Sequence, residues 1–390
     1  MGVDVAVVGC GIIGAAAAWR LSQLGLAVTV LDPAPGDGAT FAAAGMLADV
    51  TEAEFGEDHL TALNVASARA WPDFAAELSE AAGGADLAFR RSGTLTVAYD
   101  SGDRQHLHRL LDLRRGLGLP VEEITVDDAR GLEPLLGPRI AGATWTPDEH
   151  QVDPRRVHAA LLAVLADRGV AIVRRRVAEL RLTPSGTVGG VIDDHGERHT
   201  AGSVLLAAGW ASRRLVRDLA RALPGLSAVP TRPVKGQVLR LDGSGEPGFT
   251  LSRVVRGFVQ ARPVYLVPRT GGEVVVGATS EEQPDDRRVT AGATFAVLRD
   301  ARALVPGIDE LPLTELTARA RPGSPDNLPL IGDSGIPGLV LATGHYRNGI
   351  LLAPITASAL AARYGAGTVP EWAAAADPRR FAATVTGGPP

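Results

Sequence analysis

The sequence predicts a mixed fold, α/β plus α+β, in which a discontinuous Rossmann-like domain carries an inserted mixed or antiparallel sheet. Three observations predict it. Residues 3–32 read as strand, glycine turn, helix and strand. The strand–turn–helix rhythm returns near 150–225 and again near 320–375. The stretches in between alternate in polarity with a period of two and end on turn residues, as antiparallel strands do.

In chain order, Val3–Val8 is short, apolar and β-branched, as a parallel strand buried on both faces should be. Residues 15–24 follow at helical spacing, Gly25 stops the helix, and "AVTVLD" is the second strand of one βαβ unit. In "DPRRVHAALLAVLADRGVAIV", Asp153 caps a helix with Pro154 at its first position, and Gly169 ends it before the strand Val170–Val173. "SVLLAAGWAS" (203–212) is a buried strand entering a glycine turn, and "GLVLATGHYRNGILLAPITASALAARYG" repeats that pattern. "SGTLTVAYD" and "PVYLVPRTGGEVVVGAT" read as antiparallel strands, the second with Gly271-Gly272 at its hairpin. The resulting division gives 1–84, 146–225 and 318–372 to a nucleotide-binding domain and 85–145 and 226–317 to a second domain. Residues 373–390 form a C-terminal tail, frayed at "TVTGGPP".

Composition excludes several classes. The chain has 390 residues, 45% hydrophobic and 21% charged, with a formal net charge of −5. No run of Lys or Arg suggests a nucleic-acid partner, and Lys235 is the only lysine. A single cysteine, Cys10, rules out an intrachain disulfide framework and a Cys-rich metal cluster, and no metal is expected. The apolar run "VVGCGIIGAAAAW" is broken by three glycines, with no positive residue before it. No other stretch reaches the roughly 18–20 apolar residues of a membrane span. A cytoplasmic protein without membrane contact is expected.

Gly9-Cys10-Gly11-Ile12-Ile13-Gly14 matches G-x-G-x-x-G between a strand and a helix, with Asp32 at the end of the next strand. Gly9 makes the tight turn, Gly11 admits a pyrophosphate close to the backbone, and Gly14 lets the helix pack closely. The helix start offers N–H donors, and Asp32 accepts ribose hydroxyls. Cys10 reads as a small buried side chain. This fingerprint does not separate NAD from FAD. The run of small residues "GATFAAAGMLADV" (38–50) suits a loop lying against a large planar cofactor.

At the other end, "GHYRNGILLAP" (344–354) sets Arg347 in an apolar run. Burying a guanidinium without an anion is expensive, so a cofactor or substrate anion is expected beside it. Arg321 has a similar setting. Its fork matches a carboxylate, although an interdomain salt bridge would use it equally well. Tyr265, on a strand, is either core with a satisfied hydroxyl or a site residue.

"ATFAAAGML", "SVLLAAGWAS", "PVKGQ", "YLVPR", "VVVGAT", "RARPGSPDNLPLIG" and "GHYRNGILLAP" occur in one order along the chain. That order resembles the FAD-dependent amine oxidases of the D-amino acid oxidase superfamily, and within them the glycine oxidases of thiamine (thiazole) biosynthesis. The resemblance runs from residue 3 to about 362. It implies a glutathione-reductase-type domain whose FAD is held non-covalently, since no cysteine lies near the C-terminal segment. Position by position, it implies FAD contacts from Gly9, Gly11, Ile12, Ile13, Gly14, Asp32, Pro33, Ala39, Thr40, Ala44, Gly45 and Met46. Val177 and Gly209 follow, and Gly344, His345, Tyr346, Arg347, Asn348, Gly349, Ile350 and Leu351 border the pyrimidine end of the ring.

By the same resemblance, Arg321 and Tyr265 hold the substrate carboxylate while Met46 and Arg347 border the substrate. The anion facing Arg347 is then shared between reduced flavin and carboxylate. Arg319 and His345 are left as structural, and Lys235 as a salt-bridge residue rather than a cation assisting O2 reduction. The implied activity is oxidative deamination of glycine, or of small amines and D-amino acids, to imine and glyoxylate. O2 is the acceptor, H2O2 the by-product, and no side chain serves as acid or base. Another oxidase of the superfamily, acting on sarcosine or D-amino acids, is the alternative. Thiazole synthase as imine acceptor and a homo-oligomer are the partners that fit. Two positions depart from the pattern: Phe41 stands where many relatives have Ser, and Ser280 follows "GAT" where Met is usual.

Overall fold

Val3–Val8 forms the centre of an eight-stranded sheet in the computed structural model, which describes residues 2–220, 229–283 and 286–385. The strand order is Leu330–Asp333, Leu339–Thr343, Arg198–Leu206, Val3–Val8, Val28–Leu31, Ala171–Val173. Val188–Asp193 and Val177–Leu182 branch from Arg198–Leu206. The strands from Leu339–Thr343 through Ala171–Val173 are parallel. Such strands need apolar cover on both faces. On one side, the helix Ile12–Gln23 packs against Pro154–Asp167 and Ala353–Ala366. Asp153 caps Pro154–Asp167 as expected, accepting from the backbone N–H of Arg155 and Arg156. A long helix that the sequence reading did not single out, Asp58–Ala81, adds Trp71 and Phe74 to the core. There Phe74 meets Trp19 and Trp71 edge-on, at 5.5 and 5.3 Å.

The second sheet also has eight strands, ordered Leu313–Gly323, Arg232–Asp242, Glu273–Gly277, Arg262–Pro268, Val254–Val259, Thr94–Ala98, Gly142–Thr146, Glu122–Ile124. It is mixed. Thr94–Ala98 runs antiparallel to Gly142–Thr146 but parallel to Val254–Val259. The expected hairpin closes at Gly271 and Gly272, whose φ of 94° and 92° only glycine adopts freely.

One expectation needs correction. The boundary placed between 317 and 318 falls inside the strand Leu313–Gly323, which pairs with Arg232–Asp242 as far as Gly323 opposite Arg232. The chain therefore leaves the second sheet only after Gly323. The tail from 373 packs on the fold: Ala373 and Ala376 are fully buried, and Arg380 pairs with Asp326 at 2.8 Å. Residues 386–390 lie outside the described residues. The strand Leu313–Gly323 also touches the turns Gly209–Ala211 and Tyr346–Asn348, so the two sheets meet at one seam.

Candidate active site

The glycine fingerprint is built as its spacing demands. Gly9 has φ 101°, and a Cβ there would stand 2.5 Å from the Ala207 carbonyl oxygen. A Cβ on Gly14 would stand 2.0 Å from the Gly9 carbonyl oxygen, so Gly14 works by letting helix and strand approach. The first helical N–H, at Ile12, donates to Thr40 Oγ1 at 3.0 Å. Asp32 accepts from the N–H of Cys10 at 2.6 Å and of Ala34 at 2.8 Å, fixing the turn while lining the cavity beside it. His158, which sequence reasoning passed over, lies within 2.8 Å of the Cys10 carbonyl, and burial lowers its pKa. Cys10 is fully buried. Burial and the Asp32 charge push its thiol up to about 12, so it is inert.

The small-residue run is not a plain loop. Ala39–Ala42 is one helical turn and Met46–Leu47 a short strand paired with His150–Gln151. The buried Arg269 guanidinium anchors the run through the carbonyls of Ala44 and Val152. Phe41 does not line the cavity. It sits under Arg155, 3.7 Å from the ring centroid, and beside Arg319, so this departure leaves the cavity wall intact. Ser280, the other departure, does line it.

These parts surround one cavity of about 990 Å³. Every expected site residue lines it except Gly14 and Gly344. Gly344 acts through packing, since a Cβ there would meet Leu330 at 2.6 Å. At the inner end, Tyr265 lies in a small apolar cluster with Met46, Ala44 and Val238. Its ring covers Gly277, where a Cβ would stand 2.3 Å from the hydroxyl. Burial raises the Tyr265 pKa, so the phenol stays protonated. The Arg321 guanidinium lies over Gly236 and donates once, to the Thr279 carbonyl at 3.1 Å. Among the described residues no carboxylate is paired with it.

Arg347 is different. The anion expected from cofactor and substrate is supplied by the chain itself: its guanidinium grips Glu52 and Glu57 together. Glu52 also holds Arg256 at 2.7 Å, and Glu57 accepts from Asn327 at 2.6 Å. Burial pushes the Glu52 carboxyl up, but Arg256 and Arg347 outweigh it and hold the pKa at about 2. Burial likewise opposes the Arg347 charge, and Glu52 and Glu57 reverse that, raising its pKa. Arg347 is thus a braced wall residue. His345 is buried against Thr356 Oγ1 at 3.0 Å. Burial pushes it down to about 3, so it is neutral.

Lys235 also conforms. It is 1% exposed, does not line the cavity, and pairs with Asp286 at 2.6 Å. Arg319 pairs with Asp37 at 2.6 Å. Sequence reasoning missed Glu52, Arg256 and Trp210, all of which line the cavity. Only the unusual density of charge in "DVTEAEFGED" (49–58) could have signalled Glu52 and Glu57.

The family described as "DAO: FAD dependent oxidoreductase" matches residues 4–363. The chain is 34% identical to the glycine oxidase of Geobacillus kaustophilus (strain HTA426) over 359 residues, 90% of each chain. A solved structure of glycine oxidase from Geobacillus kaustophilus matches with a TM-score of 0.86 at 32% identity, over 96% of this chain and 98% of that one. The bifunctional protein ThiO/ThiG of Trichormus variabilis (strain ATCC 29413 / PCC 7937) is 31% identical over 92% of this chain, which spans 52% of that protein.

Proposed function

The chain belongs to the FAD-dependent oxidoreductase family, and from that premise we propose that it oxidises the Cα–N bond of glycine, and of small amines and D-amino acids, to the imine with release of H2O2. One observation carries the reading. Among the described residues, Arg321 is a cavity-lining guanidinium without a carboxylate partner, next to a tyrosine hydroxyl for which no hydrogen bond is found. A site built this way takes a small carboxylate.

The residues present fit FAD. The cavity, at the upper end of the roughly 300–1,000 Å³ usual for ligand sites, joins the fingerprint, Asp32 and the 39–46 segment to Tyr265 and Arg321. Gly9, Gly11 and Asp32 would hold its adenosine diphosphate part; residues 44–46 and 347–351 would hold the ring. FAD supplies the two-electron acceptor and, with O2, the route to H2O2.

The chain's own part is positional. The Arg321 fork and the protonated Tyr265 hydroxyl grip the carboxylate, while Met46, Ala44 and Val238 keep water off the reacting carbon. Arg347, fixed by two glutamates, gives that wall a constant shape. The similarity to ThiO/ThiG supports a downstream enzyme such as thiazole synthase as taker of the imine.

The test is purified protein assayed for H2O2 with glycine, sarcosine, D-alanine and D-proline, together with anaerobic addition of glycine. Oxidation of glycine and bleaching of the flavin are expected. A colourless protein, or a flavin that glycine does not reduce, refutes the proposal; a clear preference for sarcosine or a D-amino acid moves it to the neighbouring substrate.

A further inference from the structure

One helix holds from behind the wall that would border the pyrimidine end of the flavin. Gly349, Ile350 and Leu351 line the cavity, and among the described residues their backbone N–H groups donate to no carbonyl. Free N–H groups just before a helix start, here Ala353–Ala366, suit a ring that gains negative charge on reduction. The helix Asp58–Ala81 fixes where they lie. Glu57, at its start, grips Arg347, while Ser67 Oγ and Trp71 Nε1 donate to the Leu351 carbonyl at 2.5 and 2.8 Å. At about 100° per residue, positions 57, 64, 67 and 71 fall within about 80° of one another. They form one stripe, turned to residues 347–351.

Asn64 is the stripe's remaining member, and its chemistry does not match its surroundings. It is 0% exposed, and neither atom of its amide has a partner among the described residues. Its helix neighbours Leu60, Leu63, Trp71 and Phe74 all belong to the core. On the facing segment, Asn348 is 3% exposed and lines the cavity, and its Nδ2 is also without a partner. A buried amide left in this state is costly, and a leucine of similar size at position 64 would avoid the cost. The two asparagines together present three unmatched polar atoms. One trapped water typically makes about three hydrogen bonds, so a single water satisfies the set.

We propose that Asn64 is a positioning residue for the flavin: through one trapped water it holds Asn348, and so fixes the N–H groups of residues 349–351 against the pyrimidine end of the ring. Asn64 does not line the cavity, so it touches neither cofactor nor substrate and acts only through its neighbours. The proposal rests on the placement of FAD given above and is independent of which amine is oxidised.

The test is Asn64→Leu, which keeps the volume and removes the amide. Three readouts need no turnover: Tm of the apoprotein, Kd for FAD by flavin fluorescence, and Kd for sulfite, whose adduct at flavin N5 leaves the ring negatively charged. The variant is expected to keep or raise its Tm, since an unmatched amide is gone. It is expected to bind FAD and sulfite about tenfold more weakly. Anaerobic flavin reduction by glycine should slow by a similar factor while the Kd for glycine stays within about twofold. Asn348→Ala should show the same defects, and adding Asn64→Leu to it should change them by less than about twofold, because the two act as one unit. Asn64→Ser and Asn64→Ala, which differ by one hydroxyl, repeat the comparison should Asn64→Leu not fold, with the serine about fivefold closer to wild type. FAD and sulfite affinities within twofold of wild type in Asn64→Leu overturn the proposal, and so do equal values for the serine and alanine variants. If glycine reduces no flavin yet both affinities fall as expected, the glycine reading fails and the positioning role stands.

Discussion

Arg321→Ala should separate substrate binding from stability, because the structure gives this guanidinium almost nothing to hold together. It makes one hydrogen bond, to the Thr279 carbonyl at 3.1 Å, and no ion pair among the described residues. Losing that bond costs about 1 kcal/mol, a Tm change of about 1 °C in a chain of this size. The substrate contact is worth more. A partly buried, charge-assisted clamp on a carboxylate contributes about 2–5 kcal/mol, so kcat/KM for glycine should fall roughly 30- to several-thousand-fold while bound FAD is retained. Arg321→Lys should recover little, since a point charge cannot reproduce the fork. Gly236→Ala offers an independent perturbation. A Cβ there would stand 2.4 Å from Arg321 Nη1, displacing the fork without removing its charge, so it should raise KM with FAD still bound. The assay is steady-state H2O2 production against glycine, with FAD content and Tm measured on the same preparations. Near-normal glycine kinetics in Arg321→Ala would refute the reasoning, making the residue a packing element and placing the carboxylate elsewhere.

Arg347→Ala should show the reverse balance: it leaves the buried Glu57 with Asn327 but no cation, and Glu52 with Arg256 alone, and should lower stability by about 3 kcal/mol in urea titration, a loss larger than that of Arg321→Ala. For Glu52, a folded pKa of about 2 against an ordinary 4.5 means stability that is fully present above 4.5 and lost as pH falls toward 2. By linkage that is about 3 kcal/mol at neutral pH, so the gap between wild type and Glu52→Gln should close across that acid window; a gap independent of pH counts against the network. Asp32→Ala should weaken FAD binding by about 1.5–3 kcal/mol, read as a change in Kd by flavin fluorescence, and an unchanged Kd would show that Asp32 only fixes the turn. Acid precipitation should release all flavin as FAD, because Cys10 is buried in the fingerprint turn and does not line the cavity; a yellow pellet would contradict this.

The sequence made the local geometry readable and left the long-range pairing hidden, and the arginines show why. Gly9 and Gly14 announce themselves because the turn and the helix–strand contact that need them are encoded within six consecutive residues. Likewise Asp153-Pro154 declares a helix start, since cap and first turn are neighbours in sequence. The boundary near 318 was misplaced because the strand that contains it is defined by a partner at Arg232–Asp242, far away in sequence. Arg347 could be recognised as needing an anion, yet Glu52 and Glu57 lie 295 and 290 residues earlier, and no spacing rule connects them. Nor does local pattern reveal that Arg256, Tyr265 and Gly277 share one row, which is a consequence of register alone. Two arginines that look alike in sequence therefore part company in the fold. The one whose charge is already matched by two carboxylates is a brace, and a new anion would gain little there. The one left with a single carbonyl contact, over a glycine that makes room for it, is where a substrate carboxylate gains most.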